Sequence, residues 1–229
     1  MRTSYHDDLD QIRADLVEMT RLVGLAVSRA TYALVESSAE AAEQVISGDE
    51  AINALYREVE ARSYELLARQ QPVASDLRGL VSNLRMVVDL ERAGDYAVHL
   101  AKIARRRAPQ AAVPLALQDT VRAMGRVAEA ITVKAGTVIA TQNVGLAAEL
   151  QDDDDDMDRL QRQLFHALLQ QGDGDRTETA IDVTLAGRFY ERLADHAVAV
   201  AGRVVFAVTG LHSNEAGSDT WGHGRHPAT

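Results

Sequence analysis

Two short stretches, LERAGDYAVHLAK at residues 90–102 and YERLADHAVAVAG at 190–202, each place a glutamate four residues before an aspartate. Glu91 and Asp95 form the first pair and Glu191 and Asp195 the second. On a helix, residues four apart lie one above the other, so each pair stacks two like charges on one face. Helices avoid that arrangement unless something neutralises it. The possible neutralisers are water, a basic side chain or a cation. Arg92, Arg188 and Arg192 stand close by in sequence and offer the first explanation, an ion-paired surface. Carboxylate oxygens in a chain without cysteine offer the second, a site for an oxygen-preferring cation such as Mg²⁺, Ca²⁺, Mn²⁺ or iron.

Helical phase separates these readings only in part. With Glu91 at the origin and about 100° per residue, Leu77, Leu80, Leu84, Val87 and Val98 fall within roughly 60° of the point between the acids. The acids thus share an apolar stripe. Met86, Leu90, Ala93, Ala97 and Leu100 form a second stripe, so the helix should meet neighbours on two faces. The matching stripe around Glu191 and Asp195 carries Gly187, Gly202, Thr177 and Thr184, small residues that allow close approach. The run QDDDDDMDRL at 151–160 reads as the start of a helix, where acids favour the dipole and cap free N–H groups. Within that region Asp158, beside Met157 and Leu160, is read as reaching inward as a further ligand. Its counterpart in the first half is the neutral Asn53. His99 and His196 lie near the pairs and read as surface or supporting groups.

The elements that must carry these residues are helices throughout. Ala and Leu are abundant, only four prolines interrupt 229 residues, and apolar positions recur at steps of three and four. Six helices are predicted, over about 8–37, 39–70, 74–107, 115–141, 146–170 and 176–209. A possible break falls near Ser47 and Gly48, and a loop at QQGDGD. The last twenty residues lose periodicity and read as a tail, whose His212, His223 and His226 are more simply solvated than metal-binding.

The two halves repeat. An offset of 100 carries Glu91 and Asp95 onto Glu191 and Asp195, and an offset of 105 carries Asp49, Ile52 and Leu55 onto Asp154, Met157 and Leu160. The expected fold is therefore all-α, a tandem repeat of two three-helix bundles with pseudo-two-fold symmetry. Its parts are residues 1–108, 109–209 and a tail at 210–229.

A formal charge of −10 argues against nucleic-acid binding, which needs a basic surface. AVAVAGRVVFAVTGL, the most apolar late stretch, is short and carries Arg203, so no membrane span is expected and the cytoplasm is the simplest location. No Gly-rich phosphate loop and no Ser-His-Asp or cysteine-based constellation suggests catalysis. A ferritin-like di-metal enzyme would need Glu-x-x-His pairs, and the positions after Glu91 and Glu191 hold Gly94 and Ala194 instead. A helical adaptor without metal remains as the other non-enzymatic reading.

The duplicated E-x-x-x-D pattern within a six-helix repeat resembles the PhoU family of phosphate-uptake regulators. The GDEAINALYREVE segment at 48–60 and the spacing of Tyr5, Leu9, Leu16 and Met19 are similar to that family as well. The resemblance spans about residues 3–209. It implies a cytoplasmic, homodimeric negative regulator of the phosphate-starvation response, linking the ATPase of a phosphate ABC transporter to a sensor histidine kinase. It also implies metal ions held by the acidic pairs, Glu91 with Asp95 and Glu191 with Asp195. Asn53 departs from the family, which often has Asp there, whereas Asp158 keeps the acid.

Overall fold

Apolar side chains at three- and four-residue steps become the inward stripes of six helices in the computed structural model, which describes residues 2–170 and 177–211. These are α1 (Arg2–Glu36), α2 (Ala39–Gln70), α3 (Ala74–Arg107), α4 (Leu115–Thr141), α5 (Val144–Leu169) and α6 (Thr177–Thr209). Among the described residues there is no strand. The expected QQGDGD loop and tail fall largely on residues 171–176 and 212–229, outside the described residues.

Helix ends follow local chemistry. The Ser38 hydroxyl caps α2 by accepting from the Ala41 N–H at 3.2 Å. Gln71, left-handed at φ 44°, closes α2 just before Pro72. No break interrupts α2 at Gly48. Two boundaries differ from expectation. The first helix begins six residues earlier than about residue 8, because Tyr5 is buried and anchors the extra turns. The fifth begins at Val144, capped by Asn143, whose side-chain oxygen accepts from the Leu146 N–H at 3.1 Å. The aspartate run therefore lies two turns inside α5 and caps nothing, a correction to its reading as a helix start.

α1, α2 and α3 pack on one another, and so do α4, α5 and α6, giving two three-helix bundles. The bundles join along α1 with α4 and along α3 with α6. Ile12, Leu16, Met19, Val23, Val27 and Leu34 of α1 are fully buried at that seam and around it. Full burial of a side chain of this size stabilises by roughly 1.5–3 kcal/mol.

The seam shows the pseudo-symmetry residue by residue. A Cβ placed on Gly125 would stand 2.3 Å from the Thr31 Oγ1, and one on Gly136 would stand 2.3 Å from the Thr20 Oγ1. Thr20 and Gly125, like Thr31 and Gly136, are related by the 105-residue offset, so the two close approaches are one contact made twice. Thr31 also hydrogen-bonds the hydroxyl of the fully buried Tyr190 at 2.7 Å, tying α1 to α6.

Candidate functional site: two carboxylate clusters

Glu91 and Asp95 sit on α3 where it faces α2, and Glu191 and Asp195 on α6 where it faces α5. The first glutamate side chain is 24% exposed and the second 15%. Glycines permit the approach of the outer helices. A Cβ on Gly94 would meet Ile52 Cδ1 at 3.0 Å and Asp49 Oδ1 at 3.6 Å, and one on Gly187 would meet Leu164 Cδ2 at 2.9 Å.

The outer helices contribute acids of their own. Asp49 is half-buried, with its carboxyl pushed up by burial first and by the Asp95 carboxylate second. Asn53 Nδ2 donates to the Asp49 Oδ2 at 2.8 Å, which offsets part of that rise. Asp154, its counterpart, is pushed up to about 6 by burial and then by Asp195, Asp158 and Glu191. Glu91 and Glu191 are both raised, again by burial first and then by their own aspartate partners. Each half therefore gathers acids that resist simultaneous ionisation.

Asp49 and Asp154 were the residues that sequence reasoning passed over, although a signal was present. Asp49 lies four after Val45 and three before Ile52, and Asp154 lies four after Leu150 and three before Met157. All four apolar residues are buried. Each aspartate thus occupies an inward position of its helix. Asp158, expected to reach inward, is exposed one residue past Met157, and from there its charge still raises Asp154 and Glu191. The inward role belongs to Asp154.

The arginines answer part of the charge. Arg188 pairs with the Glu191 Oε1 at 2.5 Å, Arg192 with Asp195 at 3.3 Å, and Arg92 lies 3.7 Å from both Glu91 and Asp95. The Glu191 Oε2 nevertheless remains buried without a hydrogen-bond partner. Such an orphan oxygen amid like charges is the chemistry an oxygen-preferring cation would satisfy. As the side chains stand, no three His, Asp or Glu among the described residues form an arrangement that could hold a metal ion.

The histidines take supporting places between the halves. His196 Nδ1 lies 3.1 Å from the Asp89 Oδ1 and stacks on Tyr96 at 5.8 Å, while His99 stacks on Phe189 at 5.1 Å. One ion-pair network was also unforeseen. Arg106 and Arg107 of α3 converge on Asp182 of α6, whose side chain is 4% exposed.

Such a fold, a pseudo-symmetric pair of three-helix bundles flanked by duplicate carboxylate clusters, defines a class of helical repeat proteins. The PhoU domain model matches this chain twice, at residues 16–104 and 121–204, and the chain belongs to the PhoU family. It is 46% identical over 210 residues to the phosphate-specific transport system accessory protein PhoU homolog 2 of Mycobacterium tuberculosis, covering 92% of this chain and 99% of that one. Homolog 1 of Mycobacterium leprae is 44% identical over 92% of this chain and 95% of its own. The crystal structure of PhoU from Pseudomonas aeruginosa superposes with a TM-score of 0.81 at 29% identity, covering 90% of this chain and all of that one. These relatives are named as accessory proteins, and the family is not one of enzymes. No helix among the described residues is long and apolar enough to cross a membrane.

Proposed function

We propose that this chain is a negative regulator of phosphate uptake. It acts as the accessory protein that couples the ATPase of a phosphate ABC transporter to a sensor histidine kinase, in the cytoplasm and as a homodimer. The observation that supports this reading is the pair of carboxylate clusters at equivalent places on the two halves of a chain related to accessory proteins of phosphate transport.

A metal ion fits the donor chemistry. Asp154, Glu191 and Asp195 would hold it in the second half, with Asp158 at the rim. Asp49, Glu91 and Asp95 would do so in the first half, with the Asn53 amide oxygen alongside. A bound cation would supply positive charge between the outer and inner helices. The chain's own part is to hold the carboxylates together, with Gly94 and Gly187 admitting α2 and α5 to within reach.

The test is complementation of a strain lacking the gene, read by a phosphate-starvation reporter in phosphate-rich medium. The wild-type chain should repress the reporter and Glu191→Ala with Asp195→Ala should release it. Full repression by the double variant would overturn the role given to the second cluster, and no repression by wild type would overturn the function. Elemental analysis before and after chelation separates the metal reading from that of an adaptor whose acids dock a partner.

A further inference from the structure

The two carboxylate clusters are equivalent in place but not in the bases around them. Along α3, Glu91, Asp95, Val98 and Lys102 follow at steps of four, three and four, which puts them on one stripe of the helix. That stripe faces α2 at Asp49, since Val98 lines a small cleft of about 70 Å³ together with Asp49 and Ile52. Lys102 lies one turn beyond Val98. Its ammonium draws the Asp49 carboxyl down, against the rise caused by burial and Asp95. The 100-residue offset carries Lys102 onto Gly202, so the second cluster has no such base on its stripe.

A second base differs in what it pairs with. Arg29 of α1 opens on the same cleft, beside Gln44 and Gly48 of α2. Its counterpart Lys134 is held by Glu149 at 3.0 Å and by Asp153 at 2.8 Å. The 105-residue offset carries Gln44 and Gly48 onto those two acids, so the first half lacks both. Arg29 is left without an ion pair among the described residues. The remaining differences cancel in charge, because Asp158 stands where the first half has Asn53 and Arg188 where it has Val88. Arg188 reaches only the Glu191 Oε1, and Oε2 stays buried without a partner. More positive charge therefore stands beside the first cluster, and the unanswered carboxylate oxygen lies in the second.

We propose that the clusters take up divalent cations in sequence, the second before the first, because Lys102, with Arg29 behind it, supplies at Asp49 part of the charge a cation would bring. This order rests on the metal reading above, and Lys102 is the residue that sets the affinity of the first cluster. An exposed lysine suits the task, since its flexible four-carbon stem lets the ammonium swing away when a cation enters. The chain then passes through empty, half-filled and filled states as divalent concentration rises.

Mn²⁺ titration of the full-length chain, stripped with chelator and followed by the electron paramagnetic resonance of free Mn²⁺, tests this at low salt. Wild type should bind in two steps. Glu191→Gln with Asp195→Asn should abolish the tighter step, and Glu91→Gln with Asp95→Asn the weaker. Lys102→Gln should strengthen the weaker step by about three- to tenfold, Arg29→Gln by less, and neither should move the tighter one. Lys102→Arg should keep the wild-type affinity. The gain from Lys102→Gln should vanish near 1 M salt, where the screening length falls to about 3 Å. A purely structural role for Lys102 would show neither pattern. Two steps of equal affinity would overturn the proposal, as would a tighter step lost with Glu91 and Asp95, or a weaker step that Lys102→Gln leaves unmoved at low salt. No Mn²⁺ uptake by any form would overturn the metal reading itself, and the filling order with it.

Discussion

Replacing Asp154 by Asn should make the metal-free protein more stable. Burial and four neighbouring carboxylates hold this acid at about 6, against 3.8 for the free side chain. Between those values the folded chain keeps a proton that the unfolded chain gives up. Folding is therefore disfavoured progressively as pH rises from about 3.8 to about 6, and the penalty is complete above that. For a fully enclosed group such a displacement is worth about 3 kcal/mol. Asp154 is only half-buried, and solvent screening reduces the figure to about 1 kcal/mol. In chelator at pH 7.5, Asp154→Asn should thus gain about 1 kcal/mol in urea unfolding, or roughly 2–4 °C in melting temperature for a chain of this size. Below about pH 4 the two proteins should coincide. Added divalent metal should reverse their order, because wild type then gains stability from a ligand the variant holds less well. A variant less stable than wild type in chelator at pH 7.5 would refute the reasoning, since it would mean that the charge is already satisfied without metal.

Gly125→Ala should cost about 2 kcal/mol, since the new methyl meets three atoms of Thr31 within 2.9 Å and no rotation of that side chain clears them all. Gly24→Ala meets only Val133 at 3.5 Å and should be neutral or gain up to about 1 kcal/mol, so equal urea midpoints for the two would count against the seam described. Asp182→Ala should lose about 3 kcal/mol by stripping Arg106 and Arg107 of their buried partner, checked by the same unfolding curves. Asn53→Asp should make the first cluster resemble the second, lowering stability in chelator by a few tenths of a kcal/mol to about 1 kcal/mol and raising the metal retained in elemental analysis.

Much of this architecture was legible because its punctuation is strong. Pro72, Pro109 and Pro114 bracket helices whose apolar steps rarely falter, and the ends of α2, α3 and α4 fall at the predicted residues. The acid pairs were legible through their repetition. Asp154 was not, because it is one of five consecutive aspartates, and only the phase set by Leu150 and Met157 singles it out as the one facing inward. Asn143 was overlooked as a cap for the same reason, since the aspartate run offered a more obvious start. The extra turns of α1 have a polar sequence whose helicity depends on burying Tyr5, a tertiary effect. The seam between halves is built from Thr20, Thr31, Gly125 and Gly136, which carry no hydrophobic signal. Their meaning emerges only when the two offsets are laid over one another.

The paired Thr–Gly contacts have the form of an isologous dimer interface enclosed within a single chain. In a true dimer of identical subunits every substitution is made twice, so a residue suited to one side of the axis must be tolerated on the other. Joining the halves removes that obligation. Leu90 can stay apolar while Tyr190 reaches across to Thr31, and Asp49 can lean on an amide while Asp154 confronts another acid. Covalent fusion thus allows one scaffold to carry two carboxylate clusters of different charge, an inequality that two identical three-helix subunits could not encode.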